Sequence, residues 1–326
     1  MAVIASLAKQ SHKEKTLYIV APRGWCAGVE RAIGIVDVAL EHYPAPIYVR
    51  REIVHNKTVV DSYKKRGVIF IDELDQAPEA STVIFSAHGI APGVALEAKA
   101  RKLKVIDATC PLVTKVHLEV QRFVKQGYTV LYIGHRNHEE AVGVFGEAPN
   151  KIRVIETEEE ARNFNSPDGK LVVLTQTTLS VDDTQKIVDI LKKRFPELVW
   201  PSKDDICYAT QNRQNAIKTL IKNYSIDFLY VIGSKNSSNS NRLCEVAEDL
   251  GVKARLIDNT SDIVAQDWQN ASNLGLTAGA SAPESLVQEV AGYFKERGYK
   301  TEEVIFQKED VNFALPQELL ELTAAK

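Results

Sequence analysis

The feature that most constrains this chain is a rhythm: short runs of β-branched and other apolar residues alternate, from Leu17 to about Arg297, with stretches whose apolar positions recur at helical spacing. Strands of that kind, separated by helices, belong in parallel sheets covered by helices, which makes the fold α/β. Residues 17–20, 46–49, 68–71 and 82–85 read as four strands, with helices at about 29–41, 57–66 and 94–102. The plan repeats at 105–108, 129–133, 152–155 and 171–174, with helices at about 113–126 and 182–194. It repeats again at 205–208, 228–232, 254–257 and 274–277, with helices at about 211–222, 241–250 and 283–297. The expectation is three pseudo-equivalent lobes, each a four-stranded, mostly parallel sheet flanked by helices. Their boundaries fall at 16–104, 105–202 and 203–292, with a C-terminal tail, 293–326, packing back on the first lobe. Residues 1–15 read as a loosely ordered extension.

A chain of 326 residues suffices for two or three compact domains and a site between them. Lys plus Arg number 40 against 43 Asp plus Glu, with no basic block, so the electrostatic footprint of a nucleic-acid binder is missing. No apolar run approaches the roughly 18 residues a membrane span needs, and no secretory pattern opens the chain. Cytoplasm is the expected compartment.

Four cysteines are too few for a disulfide scaffold, and none forms a C-x-x-C pair. Cys26, Cys110 and Cys207 nevertheless share a station: each ends or follows its unit's first strand and precedes that unit's first helix. Ligand sites in parallel α/β sheets gather outside the carboxyl ends of strands, so three such units around one axis can aim three thiols at one point. A helix N-terminus also favours the thiolate form. The set suits either a zinc ion with a fourth ligand or an iron-sulfur cluster with one iron open. Cys244, inside an expected helix, reads as a packing residue.

The other strand ends carry mostly neutral hydrogen-bonding residues, which suit a phosphate or diphosphate whose charge is shared among many donors. His55, His88 and His138 each follow a strand and are candidates for binding phosphate or relaying protons. Glu140, two residues beyond His138, is a candidate general acid, whereas Glu139 is expected to face solvent. Ser281 with Glu284 also reads as a capping box, and 237–239 as a cap for the helix that follows.

Eight motifs then occur in order: Gly24-Trp-Cys-Ala-Gly28, Glu52-Ile-Val-His-Asn56, Ser86-Ala-His-Gly89, Asp107-Ala-Thr-Cys-Pro111, Thr175-Gln-Thr-Thr-Leu-Ser180, Asp204-Asp-Ile-Cys-Tyr-Ala-Thr210, Gly233-Ser-Lys-Asn-Ser-Ser-Asn-Ser-Asn-Arg242 and Thr277-Ala-Gly-Ala-Ser-Ala-Pro283. Together they closely resemble the 4-hydroxy-3-methylbut-2-enyl diphosphate reductases, from about Leu17 to the tail. The resemblance implies a trefoil of α/β lobes around a central 4Fe-4S cluster, with Cys26, Cys110 and Cys207 holding three irons and the fourth open. It implies a diphosphate pocket of His55, His88, Ser237, Ser238, Asn239 and Ser281, with His138 and Thr177 nearer the reacting hydroxyl and Glu140 as proton source. The activity implied is a two-electron reductive dehydroxylation of an allylic diphosphate to isopentenyl and dimethylallyl diphosphate, the last step of the methylerythritol phosphate route. Electrons are expected from a flavodoxin or ferredoxin, because no G-x-G-x-x-G opens a helix. The segment His138-Glu-Glu-Ala-Val-Gly143 departs from that family's usual His-Pro-Glu-Val pattern while keeping His138 and Glu140. The main rival is a non-catalytic phosphate-ligand binding protein with a structural three-cysteine metal site. A thiol-based redox enzyme is disfavoured by the lack of a resolving cysteine pair.

Overall fold

The structure, a computed structural model, describes residues 14–165, 169–200 and 205–324. Among the described residues are twelve strands: β1 (Thr16–Ala21), β2 (Ile47–Arg50), β3 (Val68–Ile71), β4 (Thr82–Phe85), β5 (Lys104–Asp107), β6 (Tyr128–Ile133), β7 (Ile152–Ile155), β8 (Lys170–Thr175), β9 (Phe228–Ile232), β10 (Ala254–Ile257), β11 (Asn273–Ala278) and β12 (Lys300–Ile305). They form three parallel sheets with the orders β3-β2-β4-β5, β7-β6-β8 and β10-β9-β11-β1-β12.

The apolar strand runs follow from helices on both faces of each sheet. In β9, Phe228, Tyr230 and Ile232 join Leu286, Val290 and Phe294 in one core cluster, while Leu229 and Val231 face Leu220 and Leu243 in another. β6 divides in the same way, Val130 and Tyr132 facing Val116 and Val120, Leu131 and Ile133 facing Ile187 and Leu191. Burying a side chain such as Phe294, which is 0% exposed, stabilises the fold by roughly 1.5–3 kcal/mol.

Three parallel α/β lobes are present, but with five, four and three strands rather than four each. β1 pairs with β11 and β12 in the third sheet, not with β2 in the first. β5, expected to open the second lobe, pairs with β4 and closes the first sheet. Periodicity identifies a strand but not its partner, and β1 and β5 are where that distinction matters. Residues 205–207 form no strand: Asp205 Oδ2 accepts the Thr175 N–H at 3.0 Å, Cys207 donates its N–H to the Thr177 carbonyl at 3.0 Å, and a helix begins at Tyr208. β12 escaped the sequence reading because it is a sheet-edge strand whose Lys300, Glu302 and Glu303 are exposed, so no apolar pattern announces it.

The tail is divided accordingly. β12 joins the third sheet, whereas the helix Gln317–Ala324 lies on the helix Ala27–His42 and buries Leu319 in the first lobe's core. The expected boundary at 104 falls at the start of β5, and that at 202 lies outside the described residues, as does most of the N-terminal extension. No helix among the described residues is long and apolar enough to cross a membrane.

The chain passes between lobes at three turns that open a helix, the first two directly after a strand and the third after the helix Val181–Arg194. After β1, in the third sheet, Ala27–His42 packs its Ala32, Ile35 and Val36 against Val49 and Ile84 of the first lobe. After β5, in the first sheet, Pro111–Lys125 packs Val116 and Val120 against Val130 and Val172 of the second. After β8, in the second sheet, Tyr208–Asn223 packs Ala216, Ile217 and Leu220 against Leu229 and Val231 of the third.

Candidate active site

Each of those three turns presents a cysteine. Cys26, Cys110 and Cys207 are the N-cap residues of the helices that begin at Ala27, Pro111 and Tyr208, all with extended backbone. All three cysteines therefore share the helix start, but only Cys26 and Cys110 also follow a strand; the strand expected before Cys207 is absent, and the station marks a change of lobe rather than the start of one. The three side chains line a common cavity. Gly28 lies between two of them: a Cβ there would stand 2.6 Å from Cys110 Sγ and 3.9 Å from Cys26 Sγ, so only hydrogen fits.

Burial, reinforced by the neighbouring Cys26 and Cys207, pushes the Cys110 thiol up to about 12. Burial and Cys26 push Cys207 up to about 11, against the hydrogen bonds it receives from Thr210. Both thiols hold their protons until a cation replaces them, which is the behaviour of a metal-ligand set in a low-dielectric cavity. Three sulfur donors within one cavity, with glycine leaving room beside them, fit an iron-sulfur group. Cys244 sits in the helix Ser238–Asp249 and packs against the core containing Leu243 and Val246.

Arg213, only 1% exposed, ties two of these turns together. It donates to the Gly24 carbonyl at 2.7 Å and the Ala209 carbonyl at 3.0 Å, and pairs with Glu309 of the C-terminal tail at 3.1 Å. Sequence reasoning missed it; the one available signal was a cation two turns into the helix that follows Cys207.

Three imidazoles meet in the same cavity. The His55 and His88 rings stack at 3.9 Å and 18°, and His138 stands edge-on to both, at 5.5 and 5.9 Å. His138 caps the helix Glu139–Phe145: its Nδ1 accepts the Glu140 N–H at 3.2 Å, and burial followed by the two other rings lowers it to about 3. The ring is neutral, with its proton on Nε2. Glu139 does not face solvent as expected. The segment is helical rather than extended, so consecutive side chains lie about 100° apart, and Glu139 Oε2 reaches His88 Nδ1 at 3.0 Å. Glu52, overlooked although its motif was noticed, sits 3.3 Å from His55 Nδ1 and is held there by Asn236 at 2.7 Å. The donor atoms of His55, His88 and Glu139 lie within 4.8 Å of one another. Because the rings are stacked, their in-plane lone pairs run alongside each other, an arrangement that suits an anion laid across two N–H groups better than one ion between two nitrogens.

Glu140 is 2% exposed. Thr177 donates to both its oxygens, the N–H to Oε1 at 2.8 Å and the hydroxyl to Oε2 at 2.9 Å. Those bonds favour the carboxylate, yet burial outweighs them and raises the group to about 7. A carboxyl balanced near neutral pH is what general acid catalysis requires.

The hydroxyl and amide groups complete the cavity wall. Ser237 caps its helix and accepts hydrogen bonds from Ser240 N at 3.3 Å and Ser240 Oγ at 2.9 Å, which leaves its own proton free to donate. Ser238 and Ser281 donate to the Thr178 and His55 carbonyls, both at 2.9 Å, so Ser281 anchors the histidine loop instead of capping a helix. Pro283 occupies the cap position of Glu284–Lys295. Asn239 accepts the Ala280 N–H at 2.9 Å and donates to Thr210 Oγ1 at 3.3 Å. All the residues singled out from the sequence, Cys26, Cys110, Cys207, His55, His88, His138, Glu140, Thr177, Ser237, Ser238, Asn239 and Ser281, line this one cavity.

Known proteins share this chain's sequence and fold over most of its length. The family model described as "LytB protein" matches residues 17–295. A protein of Acidothermus cellulolyticus named 4-hydroxy-3-methylbut-2-enyl diphosphate reductase is 51% identical over 309 residues, covering 94% of this chain and 90% of its own length. One of the same name from Methylococcus capsulatus is 50% identical, covering 94% and 99%. The solved E-1-hydroxy-2-methyl-but-2-enyl-4-diphosphate reductase of Plasmodium falciparum superposes with a TM-score of 0.92 at 37% identity, covering 96% of this chain and 99% of that one. From the match over most of its length, the identity to these relatives and the shared three-lobed fold, this chain belongs to the LytB protein family.

Proposed function

We propose that this chain is a cytoplasmic 4-hydroxy-3-methylbut-2-enyl diphosphate reductase, the terminal enzyme of the methylerythritol phosphate route. The overall change consumes two electrons and two protons: the allylic C–OH bond breaks, a C–H bond forms, and water leaves with isopentenyl or dimethylallyl diphosphate. The observation that carries the reading is the convergence in one cavity of three half-buried thiols with a carboxyl balanced near pH 7.

Cys26, Cys110 and Cys207 would hold three irons of a 4Fe-4S cluster, which when bound supplies single electrons and polarises the C–O bond. Zinc would supply no electrons. The reductant is a flavodoxin or ferredoxin type carrier, and unpaired cysteines suit the reducing compartment such a donor requires. The chain's own residues place the substrate and move its protons. His55, His88, Ser237, Ser238, Asn239 and Ser281 form the diphosphate end, with Ser237 donating its free hydroxyl proton and Ser281 holding the His55 loop. Because the Thr177 N–H occupies Glu140 Oε1, a protonated Glu140 carries its hydrogen on Oε2. That hydrogen faces Thr177 Oγ1, which accepts it while passing its own proton to the departing hydroxyl. Water, rather than hydroxide, is then the leaving group. His138 keeps a donor on Nε2 beside the same hydroxyl.

The test is anaerobic purification, iron and sulfide analysis with a visible spectrum, and turnover driven by a reduced viologen dye. The expected result is a brown protein containing iron and sulfide that converts the allylic alcohol diphosphate to the two isoprenoid diphosphates. A zinc-loaded protein that binds the diphosphate unchanged would establish the rival binding function instead.

A further inference from the structure

The three imidazoles of the cavity turn their Nδ1 atoms toward opposite kinds of partner. His138 Nδ1 accepts a backbone N–H, so that neutral ring already offers an N–H from Nε2. His55 Nδ1 instead lies 3.3 Å from the Glu52 carboxylate and 3.3 Å from the Asn236 amide, and His88 Nδ1 lies at ion-pair distance, 3.0 Å, from Glu139 and 3.3 Å from the Ser86 hydroxyl. A carboxylate draws the ring proton to Nδ1. A neutral ring so paired presents a bare lone pair at Nε2, which repels a phosphate oxygen; only the doubly protonated ring can keep its carboxylate and also donate to an anion. Two such cations stacked 3.9 Å apart repel one another unless an anion lies against them.

We propose that His55 and His88 bind the diphosphate as a pair of imidazolium ions charged on its arrival, with Glu52 and Glu139 as the positioning residues that stabilise the second proton on each ring. This rests on the diphosphate reading of the cavity. Binding then takes protons from solvent, and affinity falls as pH rises above the range in which the rings can charge.

The surroundings agree. Burial and the neighbouring His88 hold His55 below the usual histidine range while no anion is present. Glu52 is held low first by its hydrogen bond to His55, and Glu139, although burial pushes it up, is held low by His88, both being ionised partners. The other groups facing the pair are His138 and Arg51, whose charge reaches Glu139, together with uncharged Asn236 and Ser86. No lysine or arginine is hydrogen-bonded to either ring among the described residues, so the charge must come from the rings themselves.

The experiment is calorimetric titration of inorganic pyrophosphate into the anaerobically purified holoenzyme at pH 7.5, in two buffers of different ionisation enthalpy. The buffer dependence of the heat counts the protons taken up. Glu139→Gln is expected to bind about tenfold or more weakly and to take up about one proton fewer than the parent, a difference in which pyrophosphate's own titration cancels. Glu52→Gln provides the same test on the other ring, and His88→Asn fixes the count with that ring unable to charge. Pyrophosphate binding with an equal proton count in the parent and both glutamine variants overturns the proposal and leaves the anion pocket standing. Absence of binding in the parent, with no competition against substrate, removes the pocket and the proposal together.

Discussion

The two ends of the cavity are built by different means. At the thiol end, backbone topology does the placing: three helices begin where the chain changes lobe, and the capping residue of each is a cysteine, directly after a strand for Cys26 and Cys110 and after the helix Val181–Arg194 for Cys207. At the imidazole end, side chains place side chains: Glu52 and Glu139 hold two rings, a backbone N–H holds the third, and the Ser281 hydroxyl anchors a histidine loop. A site fixed by topology fails abruptly when one ligand is lost, because no neighbour can substitute. A site fixed by many hydrogen bonds weakens by degrees.

That contrast can be broken most directly at the thiols. Cys26→Ser, Cys110→Ser and Cys207→Ser should each lose or cripple the iron-sulfur chromophore and reduce turnover to background, while Cys244→Ser keeps both. Iron and sulfide content measured beside activity checks this, and retention of a full cluster by any of the first three would dissolve the distinction between the two ends.

Glu140 sits between them and should show an intermediate effect. Glu140→Gln keeps the shape but cannot donate, so single-turnover substrate loss in chemically reduced enzyme should fall about 10²–10⁴-fold with cluster content unchanged. The same carboxyl sets a pH dependence. Its folded value, about 7, lies above its ordinary one, so its contribution to stability is fully present below the ordinary carboxylate range and is lost as pH rises through about 7. Reduction by the parent should decline as pH rises through about 7, where the donor ionises in the folded protein, and Glu140→Gln should gain in relative melting temperature between pH 5 and pH 8. A flat rate profile together with a constant melting difference would remove Glu140 as the proton source.

The smallest effect belongs to the loop anchor. Ser281→Ala removes one hydrogen bond to the His55 carbonyl, and pyrophosphate affinity should drop by roughly 2–10-fold with no change in the cluster spectrum. An effect as large as that of a cysteine would mean that both ends behave as one cooperative unit.

The thiol end was legible in the sequence because a cysteine just before an amphipathic helix is a local pattern, although the strand read before Cys207 does not exist. Cys26 showed it even though its strand was assigned to the wrong lobe, since the turn survives the change of partner. Glu139 and Glu52 were not legible in the same way. Both are acidic residues on stretches that also carry solvent-facing charges; Glu52 meets His55 only through the turn of their shared loop, and only the packing of turns from separate lobes brings His88 beside Glu139. The strand β12 was hidden by its own charge, and the pairing of β1 by the fact that strand partners are chosen across the whole chain.

That pairing has a consequence for how the protein is made. β1 lies between β11 and β12, and Gly24 and Cys26 donate their N–H groups to the carbonyls of Ala278 and Ala280. At a synthesis rate of about 5–20 residues per second, β1 leaves the ribosome tens of seconds before the strands that flank it. Throughout that interval its Leu17 and Val20, both 0% exposed in the finished fold, lack the strands that flank them there. The first of the three thiols acquires its position only when the segment around Ala278 and Ala280 has been made, so a cluster held by the three thiols would have to enter after that point, and truncations that remove β11 and β12 should yield colourless protein.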